Sequence, residues 1–321
     1  MAASTSPGVP SRSAPNAPSA SIAARSGRSR RQGVWRRNAT GWAMMLPYII
    51  YFCVFTAFPV GFAIYLSFHR WNNLYAPPVP HGLDNYKYLL TDSNFWNALR
   101  VTIIFAVVFV VVIVPLALAL SLALNRAIRG QGFFRAAFFM PYITPGVVVA
   151  VIFIWMFQTQ NGILNNVLGA FGLGPVPWLT NAALAMPSIA FLAVWKQAGY
   201  FTVIFLAGLQ SIPRQLYEAA AVDGASAWTR FRSITLPLLA PAMLLVIIFA
   251  TLLGFGIFTE PYLLTQGGPD NATETVTMYI YKWAFQFGTM GYASTLGVAF
   301  AILIFGVVLI EKRILEREPD L

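Results

Sequence analysis

Few side chains in this sequence could do chemistry, and the most unusual is a lysine inside a long apolar stretch. Lys196, in FLAVWKQAGYF, would cost about 2.5 to 3.5 kcal/mol in the hydrocarbon of a membrane unless it faces a cavity or a partner. Beside Trp195 and Gln197, its ammonium could donate hydrogen bonds to the hydroxyl groups of a solute. Alternatively, it pairs with helix-end carbonyls or with an acidic group such as Glu260, and only fixes the packing. The sequence leaves both interpretations open.

A second polar group follows the fifth apolar run of the chain. Glu260, Tyr262 and Gln266 lie there within seven positions. They are candidates of the same kind, since hydroxyl, amide and aromatic groups can together bind a polyhydroxylated solute. Such a site needs no fixed spacing and leaves little signature in a sequence.

The motifs of common enzymes are missing from the chain. It contains no Gly-x4-Gly-Lys-Ser/Thr loop for nucleotide phosphates, no Gly-x-Ser-x-Gly, no His-Glu-x-x-His and no Cys-x-x-Cys. His69 and His81 are twelve residues apart without cysteine neighbours, and the single cysteine, Cys53, lies in an apolar run. The sequence therefore predicts no catalytic residue, no metal site and no ATP hydrolysis by this chain.

The composition predicts a membrane protein built of helices. Of 321 residues, 58% are apolar and only 10% are charged, too few to cover a globular surface in water. Six apolar runs are long enough to cross a bilayer, which takes about 20 helical residues. Pro141 and Pro145 predict a kinked helix beside the pore in the third run. The runs lie near 42 to 68, 99 to 124, 137 to 157, 187 to 210, 238 to 258 and 292 to 311.

The basic residues are segregated along the chain. Seven arginines precede the first run, and three basic residues follow each of the second, fourth and sixth runs, so sixteen of the 21 lie on one side. Because Lys and Arg beside a span resist translocation, this side and both termini are expected to be cytoplasmic. The same segregation argues against nucleic acid as the partner of the net charge of +10. Residues 1–40, rich in Ser, Ala, Pro and Arg, are predicted to be a disordered basic tail.

One polar segment, residues 211–241, separates two apolar runs on the cytoplasmic side. Ser211 could cap a helix that Pro213 starts, and Gly224 could end it with a positive φ. Ser226 could then cap a second short helix that runs from Ala227 to about Ile234. Pro237 is predicted to lead into the next apolar run. The segment is thus expected to form two short helices with a glycine corner.

The spacing within this segment resembles the EAA loop of ABC-importer permeases. The match, EAA-x3-G-x9-I-x-LP, consists of Glu218, Ala219, Ala220, Gly224, Ile234, Leu236 and Pro237. In that family the loop couples the permease to the ATP-hydrolysing subunit. The resemblance implies that Glu218 is a polar contact and Gly224 the corner between two docking helices. It implies a flat docking face at Ala219 and Ala220, and a start of the fifth span set by Leu236 and Pro237. Asp223 is expected to cap a helix or to pair with an arginine such as Arg230.

Two external segments resemble carbohydrate-type importer permeases. Residues 82–99, GLDNYKYLLTDSNFWNAL, are similar to the first external segment of that group, and they are also typical of an amphipathic helix at the headgroup level. The Thr-x-Gly-Gly-Pro pattern at Thr265 to Pro269 resembles the sugar permease that pairs with a second, non-identical permease.

Together these resemblances imply an all-α, six-span transmembrane domain of a type I ABC importer over residues 41–315, with a short tail at 316–321. The implied function is carbohydrate import across the bacterial cytoplasmic membrane. The implied partners are a second homologous permease, two ATP-binding subunits and an extracytoplasmic solute-binding protein, besides the sugar and the lipid bilayer. ATP and Mg would be bound by the partner ATPase, and this chain would hold no cofactor.

Two other functions remain open from the sequence. The solute could be a polyol or a glycerophosphate, in which case a cationic path would be expected. The chain could instead be an ion-coupled secondary transporter. That class predicts an internal inverted repeat with broken helices at matching positions, which the sequence does not show.

Overall fold

The computed structural model describes residues 41–72, 75–126 and 130–315. The predicted tails, 1–40 and 316–321, lie outside the described residues. The helices are α1 (Gly41–Ser67), α2 (Asp84–Thr91), α3 (Ser93–Leu124), α4 (Gln131–Ile143), α5 (Gly146–Met156), α6 (Ile163–Ala170), α7 (Ala182–Ser211), α8 (Arg214–Val222), α9 (Ala227–Arg230), α10 (Ala240–Phe255), α11 (Thr259–Leu264), α12 (Val276–Tyr281) and α13 (Met290–Leu315). Two-residue strands, β1 (His69–Arg70) and β2 (Val79–Pro80), pair antiparallel, with His69 opposite Pro80. The predicted all-α class is confirmed.

Five helical segments are long and apolar enough to cross a membrane, and a bent pair of helices brings the number to six. The five are α1, α3, α7, the segment Ala240–Leu264 and α13. Their ends agree with the predicted runs to within a few residues at most positions. The second span begins earlier than predicted, at Ser93, because Asp92 caps it: its Oδ1 accepts from the backbone N–H groups of Asn94 and Phe95.

The third span differs from the prediction of one kinked helix over 137–157. It begins at Gln131, and α4 and α5 meet at an angle of 94°. The break lies at Thr144, whose backbone is extended (φ −67°, ψ 132°) because the ring of the following Pro145 disfavours the helical region. Pro141 is accommodated inside α4. The proline that breaks the span is therefore Pro145, and it produces a sharp turn rather than a kink.

The long helix α7 lies at the centre of the unit formed by the described residues from Phe62 onward. It packs against α3, α4 and α10, and 61% of the residues in its most apolar 18-residue stretch are buried. Phe201 and Phe205 of α7 are completely buried, and Phe105 and Phe109 of α3 are nearly so. This packing fixes the position of every residue that α7 carries, including Lys196.

Residues 41–61 of α1 belong to a separate compact unit. Their large apolar side chains are mostly exposed; Tyr48, Phe55 and Phe58 each have about two-thirds of their surface free. A helix that is apolar on all sides and exposed suits contact with lipid tails.

An acidic residue organises the end of the fold opposite the polar segment 211–241. Asp92 Oδ2 accepts hydrogen bonds from the hydroxyls of Tyr279 (2.6 Å) and Tyr292 (2.7 Å). Burial and the bond to Asp92 raise the pKa of Tyr279 above its ordinary value, so this hydroxyl stays protonated as a donor. Phe95 is 4% exposed and packs in the same cluster, so it is a core residue at this end of the fold.

Candidate coupling loop and solute path

The first helix of the polar segment is α8, and its start differs from the prediction. Ser211 is the last residue of α7 rather than a cap, and its hydroxyl donates to the carbonyl of Gly208 (2.7 Å). Pro213 occupies the position before the first helical residue, with φ −61° and ψ 128°. Its ring fixes φ and prevents α7 from continuing, so the chain turns between α7 and α8.

The glycine corner is formed as predicted. Gly224 has φ +79°, a value that side chains other than glycine adopt only with strain. Its N–H donates to the carbonyl of Ala221 (3.1 Å), and the N–H of Ala225 donates to the carbonyl of Ala220 (2.8 Å). This pair of bonds is a Schellman motif, which satisfies the last carbonyls of α8 and reverses the chain.

The second helix begins at the predicted cap. The Ser226 hydroxyl accepts from the N–H of Thr229 (3.1 Å), and α9 follows. The chain stays helical through a π-helical turn at Phe231–Thr235 and a short turn at Leu236–Leu238, so Pro237 lies in a helical turn that leads to α10. The hydroxyls of Tyr217 and Thr235 are 2.9 Å apart and join the two arms of the corner. We refer to residues 213–239 as the elbow.

The residues of the EAA pattern lie mostly on the surface of the elbow. Glu218, Ala219 and Gly224 are exposed, as is Asp223 beside them, and Ala220 is half-buried. Ile234 and Leu236 are half-buried, Pro237 is exposed, and the two ends of the pattern lie on opposite arms. Among the described residues, no ion pair joins Asp223 to Arg230, so that predicted pairing is not formed.

Two large apolar residues stand out on the elbow. Val222 is 89% exposed and Trp228 is 67% exposed, on either side of the glycine corner. They occupy positions that the EAA pattern leaves unspecified, and the sequence analysis missed them. The sequence did contain a signal for them, because both are bulky apolar residues within a polar segment.

Lys196 forms an ion pair with Glu260. The distance from Lys196 Nζ to Glu260 Oε1 is 3.1 Å, and the two side chains are only 13% and 12% exposed. The pair joins α7 to α11. A Cβ on Gly146, at the start of α5, would lie 2.8 Å from Lys196 Nζ, so α5 passes directly over the pair. Of the two interpretations of Lys196 that the sequence left open, the structure contains the ion pair with Glu260.

A small cavity lies next to this pair. Its volume is about 130 Å³, and Gln197, Thr259 and Glu260 contribute its polar lining. The Oε1 atom of Gln197 is buried and has no hydrogen-bond partner among the described residues. A buried acceptor without a partner costs about 1 to 3 kcal/mol, so a hydroxyl donor at this place would be stabilised.

The other candidates for a solute path are dispersed. Trp195 lies 44% exposed in a different groove with Phe138 and Pro141. Tyr262 stacks on Phe258, with ring centroids 5.1 Å apart, and Phe258 lines the small cavity. Their neighbour Tyr281 has its pKa raised by a hydrogen bond with Tyr262. Gln266 follows α11 with φ 53° and does not line this cavity. The structure therefore brings Lys196, Gln197 and Glu260 together but not Trp195 or Gln266.

Comparison with known proteins assigns the family. Residues 113–317 match the model of the binding-protein-dependent transport system inner membrane component. The match covers more than half of the chain and includes the whole elbow.

The chain belongs to this family.

Several curated relatives align along nearly their whole length. The trehalose/maltose transport system permease protein MalF of Thermococcus litoralis is 34% identical over 281 residues, 87% of this chain and 95% of the relative. The sn-glycerol-3-phosphate transport system permease protein UgpA of Agrobacterium fabrum is 33% identical over 277 residues, 86% and 94% of the two chains. This permease is therefore a multi-pass membrane subunit of an ABC importer.

A solved structure has the same fold. One chain of a bacterial alginate ABC transporter, crystallised with an alginate pentasaccharide-bound periplasmic protein, superposes with a TM-score of 0.78 at 25% identity. The alignment covers 89% of this permease and 96% of that chain. The predicted type I importer fold is confirmed.

Proposed function

We propose that this permease imports a carbohydrate across the cytoplasmic membrane as half of a translocation pore. The substrate class is inferred from the relatives. Two of them, each 34% identical to this chain, are named as permeases of a trehalose/maltose transport system and of a multiple sugar-binding transport system. The alginate transporter that shares the fold acts on a polysaccharide. A second permease would complete the pore, because six spans build one half. Both termini would be cytoplasmic, as the distribution of the basic residues supports.

The elbow would dock on an ATP-binding subunit. Its corner is fixed by a Schellman motif, its two arms are bonded through Tyr217 and Thr235, and Val222 and Trp228 are exposed beside it. Glu218, exposed on α8, would add a polar contact at the rim. ATP-driven closure of two such subunits would move the elbows together and reorient the spans, while an extracytoplasmic binding protein delivers the sugar. The chain itself would bind no nucleotide.

Gln197, Lys196 and Glu260 would lie along the solute path. A sugar offers hydroxyls that both donate and accept, which matches the free acceptor at Gln197 and the paired charges next to it. A glycerophosphate is the second candidate, on account of the relative named for sn-glycerol 3-phosphate. The pairing of Lys196 with Glu260 disfavours it, since the carboxylate already neutralises the cation that would attract a phosphate.

The test is uptake by the reconstituted complex. The permease, its partner permease, the ATPase and the binding protein are placed in liposomes with ATP on the ATPase side. Labelled maltose, trehalose and glycerol 3-phosphate are then compared. We expect ATP-dependent accumulation of a saccharide and no uptake of glycerol 3-phosphate. Accumulation driven by an ion gradient without ATP would contradict the importer mechanism, and uptake of glycerol 3-phosphate alone would contradict the carbohydrate substrate.

A further inference from the structure

A large basic cavity lies at the end of the spanning helices from which the elbow projects. Its volume is about 890 Å³. Four arginines from four parts of the chain line it: Arg126 follows α3, Arg135 lies in α4, Arg214 begins α8 and Arg230 ends α9. Helix packing has thus gathered onto one cavity guanidinium groups from two regions of the sequence, Arg126 and Arg135 in one and Arg214 and Arg230 in the other.

These four charges have no counter-charge in the described part of the chain. None of the four arginines forms an ion pair there, and no carboxylate lines the cavity. The Nε atom of Arg135 is buried without a hydrogen-bond partner among the described residues. A buried charged donor without an acceptor is costly, and four like charges around one cavity repel each other. An anion in the cavity would remove both penalties.

The chemistry of the lining favours a phosphate group over a carboxylate. A guanidinium binds phosphate oxygens through two parallel hydrogen bonds, which makes arginine the preferred residue for phosphate. A carboxylate has only two oxygens, whereas a phosphate group offers more acceptors to several guanidiniums at once. The cavity, at about 890 Å³, also falls within the range of about 300 to 1,000 Å³ that is usual for small-molecule sites.

The position of the cavity adds a second argument. Arg126 lies just beyond the end of α3, and Leu209 and Gln210 line the cavity from the last turn of α7. The ends of spanning helices lie at the level of the lipid headgroups, where basic pockets between helices bind anionic lipids. We propose that this cavity is a phosphate-binding site, occupied by the headgroup of an anionic phospholipid or by a soluble phosphate ester. The proposal does not depend on the sugar substrate.

The test uses the whole transporter complex and three variants of this chain. Arg135→Gln removes the guanidinium with the unpartnered Nε, and Arg126→Gln removes an exposed one that folding should not need. Arg232→Gln is the matched control, because Arg232 is an exposed arginine on the same elbow that does not line the cavity. Native mass spectrometry of complexes from nanodiscs with phosphatidylglycerol reports retained lipid. Titration with inorganic phosphate in phosphatidylcholine nanodiscs reports the soluble source.

We expect the native complex and Arg232→Gln to bind at least one of the two probes. Arg126→Gln and Arg135→Gln should each weaken that binding about tenfold or more, as expected for the loss of one charge-assisted hydrogen bond. Retained phosphatidylglycerol identifies the lipid source, and binding of inorganic phosphate identifies the soluble source. Equal binding by all variants, or binding of neither probe, would overturn the proposal. Loss of the ATPase from Arg126→Gln without any change in phosphate or lipid binding would also overturn it, since a partner carboxylate would then occupy the cavity.

Discussion

The glycine corner of the elbow makes a quantitative prediction about coupling. Gly224 has φ +79°, and an added Cβ would meet no heavy atom within 4 Å in the described structure. The cost of Gly224→Ala therefore comes from the backbone alone, about 1 to 2 kcal/mol for a residue in the left-handed region. If the ATPase binds only the elbow in this conformation, that cost should lower its affinity about 5- to 30-fold. Gly224→Asn should lose less, because asparagine tolerates this region better.

The chain contains a matched control for this experiment. Gly172 ends α6 in the same Schellman motif, with φ +75°, and a Cβ there would also meet no described heavy atom within 4 Å. Gly172→Ala should thus cost the same backbone energy without touching the elbow. The assay is titration of the ATPase subunit onto membranes that contain each variant, with sugar-dependent ATP hydrolysis as the second readout. Affinity unchanged by Gly224→Ala, or lowered equally by Gly172→Ala, would refute the reasoning.

Three further predictions concern the ion pair and the second helix of the elbow. Lys196→Met should lower the free energy of unfolding by about 3 to 5 kcal/mol, because it leaves the buried carboxylate of Glu260 unpaired. Adding Glu260→Leu should restore most of this loss. Thermal melting of the purified chain measures both effects. Gly146→Ala should displace the Lys196 ammonium and reduce uptake more than ATPase binding. Ser226→Ala should cost about 1 kcal/mol in the stability of α9 and weaken ATPase binding. Thr229→Val keeps the capped N–H and loses only the hydroxyl that lies 2.8 Å from Ser226 Oγ, so it should have the smaller effect.

Local signals in the sequence were enough to predict the elbow but not the site in the membrane. Gly224 and Ser226 act on their immediate neighbours, so their roles could be predicted without knowledge of the fold. Ser211 failed as a predicted cap because α8 begins only at Arg214, so that Pro213 takes the position before the helix and Ser211 still belongs to α7. Lys196 and Glu260 are 64 residues apart, and only helix packing decides that they meet.

The bend of the third span shows the same limit in another form. Pro145 was recognised as a source of distortion, but a proline can kink a helix or end it, and the sequence does not distinguish the two outcomes. In the structure Pro145 ends the helix, and α4 and α5 meet at an angle of 94°. The turn is what places Gly146 over Lys196. The basic cavity was equally hidden, because its four arginines come from separate elements.

The elbow joins α7, which carries Lys196, to α10, and α10 leads into the short helix that carries Glu260. Lys196 lies on α7, which ends at the elbow, and Glu260 lies on α11, which follows the helix α10 that leaves it. The helices α7 and α10 come close together beside the elbow: a Cβ on Gly208 would lie 2.8 Å from Ala242 Cβ and from Leu239 Cδ1. Gly208 is twelve residues, or about 18 Å, along α7 from Lys196. A change of angle at this crossing should therefore move the two charges relative to each other.

Gly208→Ala tests this connection. The added methyl group should separate α7 from α10 at a cost of about 1 to 3 kcal/mol, and strain the ion pair at the far end. We expect ATPase binding to persist, because the elbow keeps its own bonds, while uptake per ATP hydrolysed falls. Gly297→Ala is the control, since Gly297 lies in α13 and a Cβ there would meet no described heavy atom within 4 Å. Uptake that matches the native complex, or a loss of ATPase binding as large as that of Gly224→Ala, would show that the crossing at Gly208 does not transmit the movement.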